Sequence, residues 1–420
     1  MQSHRRWMRG LVLLAAATIA PGMLSLPADA DGPVQSCGES AGETICLTAP
    51  GATLSGTVVV SATRTGTGSG TVEFYLDGEY LNFEYLRPYE FLWPTAKELD
   101  GTHTLSARLH KGGVLGAFVS IPVTLQNGNA RSVPRSPRDW RQLYQPQAGG
   151  VLTAVGNLGA QKPAEVKLEQ YIESTVPAVF ANLGEVHEFG TWATTLDHYG
   201  LASFDDPRGV GAAWGRMASY TLPTPGNHQR DYIAEFRDYW HQRPLWSTTR
   251  LRGVRIYNLT SECKANGGCR ANAPQAQWLA QQLAANTQPC VIALWHRPVV
   301  SKDPKRSGDT MAPAWQLLAS NGGDLVLNAD TRDMEEIKPM NAALQTDSPD
   351  SHMVELISGA GAARWVASTT NEARVAWRLY RTPGAVWVSR RGTLAEPRLR
   401  WEFRSSTGSV LRKGSVACGN

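Results

Sequence analysis

A strong excess of either charge is missing from this sequence. Lysine and arginine number 41 against 37 aspartates and glutamates, a net charge of +4 over 420 residues, far from the basic excess that nucleic-acid binding needs. Long apolar runs are scarce as well. One runs from Leu11 to Ala20 before Pro21 and Gly22 interrupt it, too short for a bilayer span, and no later stretch is a candidate. Several chemical signatures are also absent. No Cys-x-x-Cys pair occurs, which removes zinc-ribbon and thioredoxin-like readings, and there is no G-x-S-x-G elbow, phosphate-cradling G-x-x-x-x-G-K loop or H-E-x-x-H helix.

What is present points to export. Arg5, Arg6 and Arg9 precede the apolar run, and Ala28-Asp29-Ala30 closes it in the pattern of a signal peptide, residues 1–30, cleaved after Ala30. The remaining chain would be soluble and secreted or periplasmic. Six cysteines suit an oxidising space. Many pairings are open. Proximity favours Cys37 with Cys46 and Cys263 with Cys269, leaving Cys290 for Cys418.

The length allows two to three domains. After an N-terminal segment, 31–43, residues 44–126 read as strand after strand, with Asp77-Gly78 and Asp100-Gly101 at hairpin positions, and this spacing predicts a β-sandwich. The run Pro88-Tyr89-Glu90-Phe91-Leu92-Trp93 resembles bacterial immunoglobulin-like modules, and His103 within the sandwich reads as a strand residue. Residues 127–150, rich in Pro, Gly and Arg, read as a linker.

From 151 to 420 apolar strands at Val151–Val155, Ala178–Leu183, Val254–Leu259, Val291–Trp295 and Asp324–Leu327 alternate with helical segments at Ala164–Glu173, Ala273–Ala285 and Ala312–Ser320. Such alternation predicts an α/β layered domain with functional residues on loops after strands. Strands return at Met353–Ile357, Ala373–Tyr380, Val386–Ser389 and Leu399–Phe403.

One turn organises this half: Thr224-Pro225-Gly226-Asn227-His228, which places an amide and an imidazole side by side at the end of an apolar run. Gly156-Asn157 and Leu183-Gly184-Glu185 precede it at strand ends; Trp295-His296-Arg297-Pro298 and Asn328-Ala329-Asp330-Thr331 follow. In order and placement these motifs resemble the calcineurin-like metallophosphoesterases, in particular their secreted, purple acid phosphatase-like branch, whose pattern is GD, GDN-Y, GNH, WHxP and GHxH. Trp214-Gly215-Arg216, Gln277-Trp278-Leu279 and Ser358-Gly359-Ala360-Gly361 fit the same branch, and the resemblance covers about residues 151–418.

The resemblance implies a double β-sandwich flanked by helices, with the C-terminal strands forming its second sheet. It also implies two cations bridged by one carboxylate. Carried over residue by residue, Asn157, Glu185, Asn227 and His296 stand at metal-ligand positions, and His228 with Arg297 would face a phosphate or leaving group. The family ligands are incomplete: Asn157 replaces an aspartate, Glu185 replaces the bridging aspartate, and Ala329 and Thr331 replace the two histidines of the last motif. His187 or Glu188 could stand in for the family tyrosine, and Asp330, Asp333 and Glu335 lie beside the lost histidines.

Counted by cation, one position keeps Glu185, Asn227 and His296, and the other keeps only Glu185 and a weak Asn157. The expectation is an exported protein with an eroded dimetal site acting in binding, its ligand a phosphorylated small molecule or another extracytoplasmic compound. The alternative is a phosphoesterase working with an atypical or single divalent ion, zinc, manganese or iron. His110, His198, His241 and His352 show no ligand spacing and read as surface or core residues.

Overall fold

The computed structural model describes residues 32–419 apart from 67–69, 86, 99, 112–113, 129–137, 160–161, 187–191, 207–208 and 362–369. The segment read as an export signal, and His187 and Glu188, lie outside the described residues.

The first body is all-β. A four-stranded sheet orders Val34–Ser40, Glu43–Ala49, Thr57–Arg64 and Tyr89–Pro94, and a five-stranded sheet orders Thr53–Leu54, Val114–Leu125, Gly101–Lys111, Thr71–Leu76 and Glu79–Glu84. Alternation explains why they stack. Along Thr71–Leu76 every second residue is buried, so Val72, Phe74 and Leu76 meet Ile45, Leu47 and Phe91 in one core. The hairpin between Thr71–Leu76 and Glu79–Glu84 turns on Asp77 and Gly78, both at positive φ as a two-residue turn requires. The first strand, Val34–Ser40, lies in the stretch read as an N-terminal segment, and Cys37 sits opposite Cys46 in its pairing. His103 is a strand residue whose Nδ1 meets Asp77 at 2.6 Å.

Within the stretch read as a linker, a short helix, Trp140–Leu143, is capped by the Asp139 carboxylate accepting from the Arg141 N–H.

The second body has four layers. A six-stranded sheet runs Thr221–Pro223, Val179–Asn182, Val151–Val155, Gly384–Gly392, Pro397–Ser405, Val410–Ala417; a seven-stranded sheet runs Ser247–Leu251, Val254–Asn258, Cys290–Leu294, Leu325–Asn328, Val354–Ser358, Met334–Ile337, Val375–Leu379. Leu152, Ala181, Ile256, Leu294, Leu327 and Val388 belong to the single core between them. Outside, Leu168 and Ile172 of helix Pro163–Ser174 cover the first sheet, while Leu279 and Leu283 of helix Pro274–Ala284 and Trp315 and Leu318 of helix Ala312–Ala319 cover the second. Proline in the first turn of each of these helices fixes φ where no N–H is needed.

One expectation is corrected. The C-terminal strands do not make a second sheet of their own. Val354–Ser358 and Val375–Leu379 join Val254–Asn258 and Cys290–Leu294 in the seven-stranded sheet, while Gly384–Gly392 pairs antiparallel with Val151–Val155. Burial explains it: Val151–Val155 is buried almost throughout and would otherwise present an open edge inside the core.

The three disulfides are Cys37–Cys46, Cys263–Cys269 and Cys290–Cys418. Among the described residues no helix is long and apolar enough to cross a membrane.

Candidate functional site

The parallel strands Val151–Val155, Val179–Asn182, Val254–Asn258, Cys290–Leu294 and Leu325–Asn328 deliver their carboxyl ends to one side of the two sheets, the side where open α/β sheets receive ligands. Asn157, Glu185, Asn227, His228, His296 and Asp330 all follow such ends or the end of Thr221–Pro223. The backbone there is unusual. Asn157, Glu185, Asp330 and Arg332 have φ of 60°, 56°, 60° and 60°, a left-handed conformation that non-glycine residues keep only where surrounding structure imposes it, at about 1–3 kcal/mol each.

The turns are pressed backbone to backbone. A Cβ on Gly226 would lie 2.2 Å from the Glu185 amide nitrogen, and one on Gly184 would lie 2.7 Å from His296 Nδ1. Gly226→Ala is therefore expected to displace the Glu185 turn and lower thermal stability by about 1–3 kcal/mol, read as a fall in Tm; an unchanged Tm would mean that the turns do not pack this closely.

Glu185 is the hub. Its Oε1 accepts from Arg332 Nη2 at 2.5 Å and lies 3.2 Å from His228 Nε2; its Oε2 accepts from the Asn157 amide and lies 3.9 Å from His296 Nε2. Burial alone would push this carboxyl up. The hydrogen bond from His228 and the positive charges of Arg332, His228 and His296 outweigh it and hold the group down at about 2. Glu185 is a carboxylate throughout the physiological range.

On the other side of Glu185, His296 is fixed by Nδ1 donating to the Leu183 carbonyl at 2.8 Å. Its Nε2 lies 2.9 Å from Asn227 Oδ1, with Asp330 Oδ1 3.8 Å away. That contact is made by an N–H on Nε2, by a cation between the two atoms, or by the other end of the Asn227 amide. Glu185, His296 and Asp330 together could hold a metal ion, their ligand atoms lying within 4.8 Å of one another, and the Asn227 oxygen makes a fourth. These residues fit one divalent cation.

A second cation would meet a fixed positive charge. On the Oε1 side of Glu185 the Arg332 guanidinium offers no lone pair, with His228 Nε2 3.2 Å from the same oxygen; at the other flank Asn157 turns an amide N–H to Oε2, and its buried Oδ1 has no hydrogen-bond partner among the described residues. Ala329 is fully buried beneath Gly156, where an added Cβ would lie 2.5 Å away, and the Thr331 hydroxyl donates to Asp333 at 2.5 Å, away from Glu185.

Of the residues singled out in the sequence, Asn157, Glu185, Asn227, His228 and His296 come together. Asn157 donates to Glu185 through its amide nitrogen, and its Oδ1 has no hydrogen-bond partner among the described residues. Arg297 lies beside them, its Nε held by Glu262 at 3.0 Å and its Nη1 3.9 Å from Asp330. Asp330 does enter the site, with Arg306 Nη1 at 2.9 Å from its Oδ1, whereas Asp333 and Glu335 turn to Arg378 and Ser301. Arg332 and Arg306 carry no motif, and sequence reasoning missed both.

The loop after His296 is held from behind. Val299 and Val300 donate their N–H groups to the two oxygens of Glu355 at 2.9 and 3.1 Å. Complete burial pushes the Glu355 carboxyl up from 4.5 to about 8 despite those bonds. A folded-state value above the unfolded one contributes stability that is fully present below about 4.5 and is lost as pH rises through about 8. Wild type should therefore lose more Tm between pH 5 and pH 8.5 than Glu355→Gln does; equal slopes would remove Glu355 as the cause.

Residues 44–107 match the family model described as a bacterial Ig domain. A comparison with curated protein sequences finds no match. Among solved structures, the purple acid phosphatase PPD1 from yellow lupin (Lupinus luteus) seeds is similar at 11% identity with a TM-score of 0.50, over 90% of this chain and 80% of the lupin chain. Vps29 of Chaetomium thermophilum is similar at 11% identity and a TM-score of 0.31, over 64% of this chain and 100% of that one. The E. coli phosphoesterase Yfce is similar at 10% identity and a TM-score of 0.26, over 63% and 99%. The lupin likeness shows a metallophosphoesterase-type fold, preceded here by an immunoglobulin-like sandwich.

Proposed function

We propose that this metallophosphoesterase-fold protein binds an anionic, phosphate-bearing ligand outside the cytoplasm and does not carry out two-metal phosphoester hydrolysis. One observation carries the reading: the Arg332 guanidinium sits 2.5 Å from Glu185 Oε1, where the family places a carboxylate oxygen bridging two cations. A fixed positive charge stands on the hub carboxylate in place of a second metal. His228 and Arg306, each about a quarter exposed, then offer donors suited to phosphate oxygens above the buried Arg332. The three disulfides agree with an exported protein.

Isothermal titration with inorganic phosphate in the presence of a chelator tests this reading. Binding should persist and weaken about tenfold or more in His228→Ala, about 1.4 kcal/mol for one charge-assisted contact. Phosphomonoester turnover in the usual enzyme range of about 1–10³ s⁻¹, with two metals per site, would overturn it.

A second reading rests on the Asn227–His296–Asp330 side. A single divalent ion held by Asn227, His296, Glu185 and Asp330 would supply Lewis acidity toward a phosphoryl oxygen. It predicts slow, metal-dependent turnover that Asp330→Asn and His296→Ala both abolish; turnover unaffected by Asp330→Asn would rule it out.

A further inference from the structure

A second cluster of ligand-type side chains lies where the two bodies meet, remote in sequence from the strand-end site. Glu84 closes the strand Glu79–Glu84 of the sandwich, and Asp197 and His198 form the last turn of helix Trp192–His198, which packs on strands Glu79–Glu84 and Tyr89–Pro94. His198 Nε2 lies 3.3 Å from Glu84 Oε1 and 3.3 Å from Asp197 Oδ2, with side-chain exposures of 3%, 4% and 15%. A charge-assisted N–H···O bond closes to about 2.7–2.9 Å. Ligand atoms bound at about 2.0–2.2 Å to one tetrahedral cation sit about 3.3–3.6 Å apart. The observed spacing is that of a long hydrogen bond and equally of ligands around one ion, and the three groups could hold a metal, their ligand atoms lying within 4.8 Å of one another.

An independent feature points the same way. Asn82 is completely buried, its Nδ2 is 3.2 Å from Glu84 Oε1, and its Oδ1 has no hydrogen-bond partner among the described residues. A buried amide oxygen left unpaired costs about 1–3 kcal/mol. The two ends of an amide have the same shape, so a half-turn of the side chain presents that oxygen to the cluster.

We propose that Glu84, Asp197 and His198, with Asn82 as a fourth donor, bind one divalent cation of the zinc or manganese type that joins the immunoglobulin-like sandwich to the α/β body. Two carboxylates, an imidazole and an amide carbonyl make a neutral complex with such an ion, which suits a closed, buried, structural site.

The test uses the full mature chain carrying His296→Ala, which silences the strand-end site, stripped with chelator and titrated separately with zinc and with manganese. The expected result is one equivalent of at least one of the two metals per chain and a metal-dependent rise in Tm. Both should vanish when Glu84→Gln and His198→Ala are added. No binding of either metal by the folded His296→Ala protein, or equal binding with and without the cluster substitutions, overturns the proposal. Should the added substitutions prevent folding, anomalous scattering from zinc- or manganese-soaked crystals of the unsubstituted chain decides: a peak between Glu84 and His198 supports the site, and its absence overturns it.

Discussion

Arg332→Ala will destabilise the protein by about 3–5 kcal/mol in metal-free buffer, the usual loss when one partner of a buried ion pair is removed. Arg332 is 8% exposed and Glu185 2%, so water cannot replace the lost guanidinium. The Glu185 carboxylate would keep only His228, His296 and the Asn157 amide against the full weight of its burial. Two further results separate this account from a simple packing defect. Adding Glu185→Gln to Arg332→Ala should return most of the lost stability, because the buried charge leaves with its partner. Zinc or manganese should stabilise Arg332→Ala more than wild type, since removing the guanidinium opens the Oε1 side of Glu185 to a cation. Loss of stability that neither the second substitution nor a metal reduces would show that Arg332 acts through packing alone.

Replacing Cys290 and Cys418 together by serine is expected to cost about 5 kcal/mol, and replacing Cys263 and Cys269 only about 2 kcal/mol, because the cost grows with the length of the closed loop. The first bridge spans 128 residues and the second spans 6. The long bridge also fastens the start of the strand Cys290–Leu294, which leads to His296. Nearby, the Asp324 carboxylate accepts from the Val291 and Gly419 N–H groups at 2.7 and 3.0 Å, tying the same strand to the C-terminus a second time. Thermal unfolding of the two double variants reads the contrast directly. Equal losses would mean that loop closure does not govern the contribution of these bridges.

Much of the fold was legible in the sequence because it rests on local rules. The strand at 290–294 is an unbroken apolar run and those at 151–155 and 254–258 are apolar but for Thr153, Arg255 and Asn258; all three are buried, as strands are when helices cover a parallel sheet. Proline at the helix starts and Asp77-Gly78 at the hairpin mark ends by backbone geometry alone. The partition of the C-terminal strands between two sheets was not legible, because pairing partners more than two hundred residues apart leave no periodic trace: Val151–Val155 meets Gly384–Gly392. The site divides in the same way. Gly226-Asn227-His228 and His296 announce themselves as strand-end motifs. Arg332 reaches Glu185 across 147 residues of chain, and only its left-handed turn brings it there. Glu84 and His198 are separated by 114 residues and belong to different bodies, so no spacing rule could have joined them.

The most direct measurement is the metal content of the strand-end site together with its turnover, on protein carrying Glu84→Gln and His198→Ala so that only that site is counted. After dialysis against zinc, manganese or iron, the account predicts no more than one equivalent per chain and phosphomonoester hydrolysis far below about 1 s⁻¹. Two equivalents, both lost in Glu185→Ala and accompanied by turnover in the ordinary enzyme range, would contradict it and return Arg332 to the role of a bystander.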